Sequence, residues 1–108
     1  MINVTIFKNS KTDILGFHVS GHAGYAASGE DIVCSAVSAL TITTCNSIEA
    51  LCEEDFHIDS NQKTGEIKLL FDEEPGHDAN LILKVFEIGI NGICDSYSDY
   101  ICLTFKEV

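Results

Sequence analysis

Leu15-Gly16-Phe17-His18-Val19-Ser20, then Gly21-His22-Ala23-Gly24-Tyr25-Ala26-Ala27-Ser28-Gly29, then Glu30-Asp31-Ile32-Val33-Cys34-Ser35-Ala36-Val37 carries the chain from one backbone period to another. In the first part Leu15, Phe17 and Val19 alternate with Gly16, His18 and Ser20, the period of two that gives a strand one apolar face. In the last part Val33 and Val37 open a near-helical spacing that Leu40, Ile48 and Leu51 continue. It predicts a helix from about Asp31 to Cys52. The middle part holds three glycines in nine residues and reads as a loop.

The same signals extend outward. Ile2, Val4 and Ile6 alternate with Asn3 and Thr5, so the first two strands form a hairpin turning at Asn9 to Asp13. Phe56 and Ile58, then Ile67, Leu69 and Phe71, predict a second hairpin around Asn61 to Gly65. Leu81, Ile82, Val85, Phe86 and Ile88 predict a second helix from about His77 to Asn91, after a loop holding the lone Pro75. Ile101, Leu103 and Phe105 give a last strand. The order strand-strand-helix-strand-strand-helix-strand implies a two-layer α+β domain over residues 1–108, with a mostly antiparallel sheet and helices on one face. The pattern leaves the strand order open.

Composition narrows the partners. The chain has 108 residues, 45% hydrophobic, with six Lys and no Arg against seventeen Asp and Glu, a net charge of −11. That balance argues against direct nucleic-acid binding, which needs cations to displace phosphate counterions. It suits a basic protein or peptide. The opening residues show no basic segment and no apolar run long enough for a signal peptide or a membrane span, so a cytoplasmic setting with reduced thiols and no membrane partner is expected. Five cysteines make an odd count, without a CxxC or a paired Cys/His spacing. Cys45, Cys52, Cys94 and Cys102 read as small buried hydrophobes. No cofactor and no metal is expected.

Cys34 reads differently. A thiol attacks only as thiolate, and its ordinary pKa of roughly 8.5 must be lowered or a base supplied. Cys34 falls in the first or second turn of the predicted helix, whose start offers unpaired N–H groups and a positive dipole end. His22 closes the second strand across the glycine loop, placed to take the thiol proton and return it to a leaving amine. Asp31 either caps the helix or orients His22, although its charge opposes thiolate formation. Ser38 lies one turn beyond Cys34 and either donates a hydrogen bond or serves as a small packing residue. Two other uses of this region remain open from spacing alone: a metal held by His18, His22 and Cys34, and a redox-sensing Cys34. A phosphate-cradling loop fails for want of a following Lys-Ser/Thr.

The run Gly21-His22-Ala23-Gly24-Tyr25-Ala26, followed by Gly29-Glu30-Asp31-Ile32-Val33-Cys34-Ser35-Ala36-Val37-Ser38, closely resembles the signature of the ribosomal-processing cysteine protease family, Prp. The likeness extends to length, element order and the opening strand. It implies a cytoplasmic homodimer that removes a short N-terminal extension from large-subunit ribosomal protein number twenty-seven of the bacterial scheme. It further implies a Cys34/His22 dyad and a mobile loop, with Gly21, Gly24, Tyr25 and Gly29, that closes over the peptide. Cleavage after an aromatic residue implies an apolar pocket beside Cys34. The rival readings are a thiol redox switch and a non-catalytic ribosome-assembly factor.

Overall fold

The computed structural model describes residues 1–21, 28–61 and 63–108, the side chains of residues 28–31 excepted. The elements follow the expected order: β1 (Ile2–Lys8), β2 (Ile14–Ser20), α1 (Ser28–Leu51), β3 (Phe56–Asn61), β4 (Glu66–Phe71), α2 (His77–Ser96) and β5 (Ile101–Glu107). The five strands form one sheet in the order β3-β4-β2-β1-β5. Only β1 and β5 pair in parallel, Ile2 beside Ile101; the other three pairings are antiparallel.

Both hairpin turns are built by an asparagine. Asn9 Oδ1 accepts from the N–H groups of Lys11 at 2.9 Å and Asp13 at 3.0 Å, and Asn61 Oδ1 accepts from Lys63 N–H at 3.0 Å. Such side chains imitate a backbone turn and fix where the strands reverse. That reversal sets the register, so Ile2, Val4, Ile6, Phe17, Val19, Leu69, Phe71 and Ile101 all contribute to one core.

Val33, Val37, Cys45 and Ile48 of α1 and Ala79, Leu83, Phe86 and Ile90 of α2 close that core. Phe86 stacks on Phe17 with centroids 4.3 Å apart. Glu54 Oε2 accepts from Gly76 N–H at 2.9 Å, and Leu40 lies against Gly89, so the two helices run antiparallel. A Cβ on Gly89 would sit 2.6 Å from Leu40 Cδ2, so a larger residue there would require the end of the Leu40 side chain to turn aside. Two buried hydroxyls on α1 turn back on their own helix: Thr41 donates to the Val37 carbonyl at 2.6 Å and Thr44 to that of Leu40 at 2.7 Å. The stretch Ile32–Leu51 has the length and apolarity of a membrane span. In this fold its Val33, Val37 and Ile48 side is the wall of the core.

Several expectations change. Helix α1 starts at Ser28 rather than near Asp31, and α2 runs on to Ser96 rather than stopping near Asn91. Leu51 is exposed at the end of α1. On α2 the inward stripe is Ala79, Leu83, Phe86 and Ile90, whereas Leu81, Val85 and Ile88 face out. At about 100° per residue these three lie opposite the side that the Phe86 stack pins to the sheet. Cys45 is buried, and Cys52 and Cys94 are half-buried against the core. Cys102 is exposed, because it falls between Ile101 and Leu103 and so turns to the helix-free face beside Asn3.

Candidate active site

The candidate site lies at the end of the sheet where β1 and β4 begin and β2 finishes. Gly21 follows β2 with φ +88°, and a side chain there would run into the Met1 carbonyl. A residue with a Cβ pays for that left-handed backbone, so glycine starts the connection to α1. Gly65, at φ +69°, makes the equivalent bend just before β4.

Cys34 and Ser38 face this end from α1. The half-buried Cys34 packs against the core, and Ser38, one turn further along, is exposed. Together with Ile2, Val19, Gly21, Val37 and Gly65 they line a depression of about 80 Å³. Its walls mix the apolar side chains of Ile2, Val19 and Val37 with Cys34, Ser38 and two glycines. The described residues outline roughly half the ~150 Å³ that holds a benzene-sized group.

Because α1 begins at Ser28, its unpaired N–H groups belong to residues 28–31, and Cys34 stands in the second turn. The dipole is strongest within the first turn. The donors expected for an oxyanion therefore lie one turn before Cys34. The Cα–Cβ bond of a helical residue tilts toward the N-terminus, so the Cys34 side chain leaves the backbone in the direction of that turn.

The structure thus brings Cys34, Ser38 and Gly21 to one depression. The expectations for His22, Gly24 and Tyr25 lie outside the described residues. Gly29 and Asp31 fall in the first turn of α1, and any side-chain role for Asp31 lies outside them too. His18 is settled. It alternates with Phe17 and Val19, so it faces the other side of the sheet, where its Nε2 meets Glu66 Oε1 at 2.7 Å. A metal shared by His18 and Cys34 is excluded by the sheet between them. Gly65, which also lines the depression, was not singled out by the sequence reading, though its place in a predicted hairpin turn was legible.

Three thiols are held in the protonated form by their surroundings. Burial pushes the Cys45 thiol up to about 11, with Glu49 adding to the effect. Burial also raises Cys52 and Cys94, assisted by neighbouring carboxylates. A raised pKa keeps a thiol protonated and inert.

A thiol on a helix against an apolar depression, at the mouth of a glycine-rich connection, suits a cysteine-dependent hydrolase on an α+β scaffold. Comparison with known proteins makes the class specific. The chain belongs to the cysteine protease Prp family, whose sequence model matches residues 1–102. It is 28% identical to the ribosomal processing cysteine protease Prp of Staphylococcus aureus, covering 98% of this chain and 100% of that one. It is also 28% identical to the protein of that name from Bacillus subtilis, covering 96% of each. The crystal structure of the essential S. aureus protease with a substrate peptide superposes with a TM-score of 0.91 at 27% identity, over 98% of this chain and 100% of that one. Its complex with a covalently linked product peptide gives 0.89 at 28%, with the same coverage. The chain is a cysteine protease.

Proposed function

We propose that this protease processes a ribosomal protein, cutting a short N-terminal extension from protein number twenty-seven of the large subunit, with Cys34 as nucleophile and His22 as general base and acid. The observation that carries this reading is the end-to-end likeness to ribosomal processing proteases, one of them crystallised with substrate and with covalently linked product. Within the chain, the placement of Cys34 on an apolar depression supports the choice of thiol.

The chemistry follows from the residue types. His22 takes the Cys34 proton, and the thiolate attacks the scissile carbonyl. Backbone N–H groups in the first turn of α1 hold the resulting oxyanion. Collapse expels the amine, which takes its proton from the His22 imidazolium and leaves a thioester. Water, deprotonated by His22, then attacks the thioester and frees the carboxylate and Cys34. Ser38 donates to substrate or thiolate, and Asp31 orients His22 or caps α1. The loop with Gly21, Gly24 and Tyr25 closes over the peptide, orienting it and excluding water, while Gly29 belongs to the first turn of α1 and not to the loop.

The net charge of −11 would draw in a basic ribosomal protein, and the attraction would be screened beyond about 8 Å at physiological salt. The proposal includes one protease domain acting in the cytoplasm as a homodimer, without cofactor, nucleic acid or membrane. Sedimentation of the purified chain tests the dimer. Incubation with the unprocessed ribosomal protein tests the activity. The redox reading expects rapid peroxide oxidation of Cys34 and an uncut substrate; the assembly-factor reading expects binding and release of whole substrate.

A further inference from the structure

β3 is the outermost strand on its side of the sheet and pairs with β4 alone. One row of its backbone N–H and C=O groups therefore points away from the sheet, the arrangement that accepts an added strand. Five of its six residues are exposed, so nothing among the described residues covers it. Its two faces differ in chemistry. Ile58, opposite Leu69, is 39% exposed on the helix side, and Asp59 stands on the other face.

At the end of β3 a hollow of about 160 Å³ is lined by Asp59, Ser60, Asn61 and Glu66. Glu66 and Gly65 are consecutive residues. The first lines this hollow and the second lines the depression that holds Cys34. The hollow opens on the helix-free face, where Glu66 meets His18, so a peptide seated beside Cys34 reaches it by passing round the β3–β4 turn at Gly65 and along the β3 edge.

Resting on the protease reading above, we infer that the β3 edge is a docking strand for the substrate, an extended segment that alternates apolar and basic side chains. The backbone row supplies main-chain hydrogen bonds, and Ile58 meets the apolar side chains. The hollow takes a basic side chain between the carboxylates of Asp59 and Glu66, one Glu66 oxygen already meeting His18. Lys68 stands opposite Asp59 on the same face, and the opposite edge, β5, has Glu107 as its one carboxylate. It carries Lys106, and the Lys8 ammonium lies 4.5 Å from the Phe105 ring centroid.

The test uses the full chain and a synthetic peptide spanning the extension of large-subunit protein twenty-seven. Bound to the Cys34→Ala protein, the peptide slows amide exchange in β3 by about tenfold. In the otherwise unsubstituted enzyme, Asp59→Lys raises KM about three- to fivefold, the scale of an exposed ion pair, and leaves kcat unchanged. Unchanged exchange across β3, or slowed exchange on β5 in its place, overturns the docking strand even if cleavage is normal. If the unsubstituted chain leaves the peptide whole while β3 still gains protection, the protease reading falls and the docking edge stands.

Discussion

Cys34 on α1 and Gly65 in the β3–β4 turn line one depression, although the chain completes a helix and a strand between them. The turn thus lines the candidate site and is not merely a connection. Its left-handed backbone gives a direct test.

Gly65→Val is expected to cost about 1–2 kcal/mol of stability, and Gly65→Asn clearly less, because asparagine tolerates positive φ. Urea unfolding measures the difference. Both substitutions put a side chain at the depression, so KM for the peptide rises in both, including the more stable Asn variant.

Thiol reactivity should separate the cysteines. With its pKa at about 11, Cys45 is thiolate in only about one molecule in 10⁴ at pH 7. Iodoacetamide followed by peptide mass mapping should label Cys34 well ahead of Cys45. Cys45→Ala should retain its kcat/KM, and Cys34→Ala should lose it.

The stack of Phe86 on Phe17 joins α2 to the centre of the sheet. Phe86→Ala is expected to lower unfolding free energy by about 3–5 kcal/mol. Ile88→Ala, on the exposed side, should change it by less than about 1 kcal/mol. Denaturant midpoints compare the two.

His57 supplies a pH-dependent contact. Its hydrogen bond to Asp72 at 2.9 Å, followed by the Asp72 charge, raises its pKa above the ordinary 6.5. A raised folded pKa gives stability that is fully present below the unfolded value and fades as pH rises through the folded one. Asp72→Asn should therefore destabilise the protein more at pH 6 than at pH 8.5, and NMR titration should show the His57 pKa fall.

These tests also mark how far the sequence could be read. The strands were legible because Ile2-Val4-Ile6 and Phe17-Val19 each have one buried face, and Asn9 and Asn61 announce their turns. The outward face of α2 was not. Leu81, Val85 and Ile88 form as good an apolar stripe as Ala79, Leu83 and Phe86, and only the Phe17 stack decides between them. Strand order needed the parallel pairing of β1 with β5, a contact between the ends of the chain that no local period encodes. At the site, Cys34 was marked by its motif. Gly65 is brought to it by the sheet, and His18 is carried away from it by one step of strand alternation.

The most direct test is mass spectrometry of the unprocessed ribosomal protein after incubation with this chain. The account predicts two products, the free extension and the shortened protein, with the unsubstituted enzyme and neither with Cys34→Ala or His22→Ala. An uncut substrate with the unsubstituted enzyme, or equal cleavage by Cys34→Ala, would contradict it.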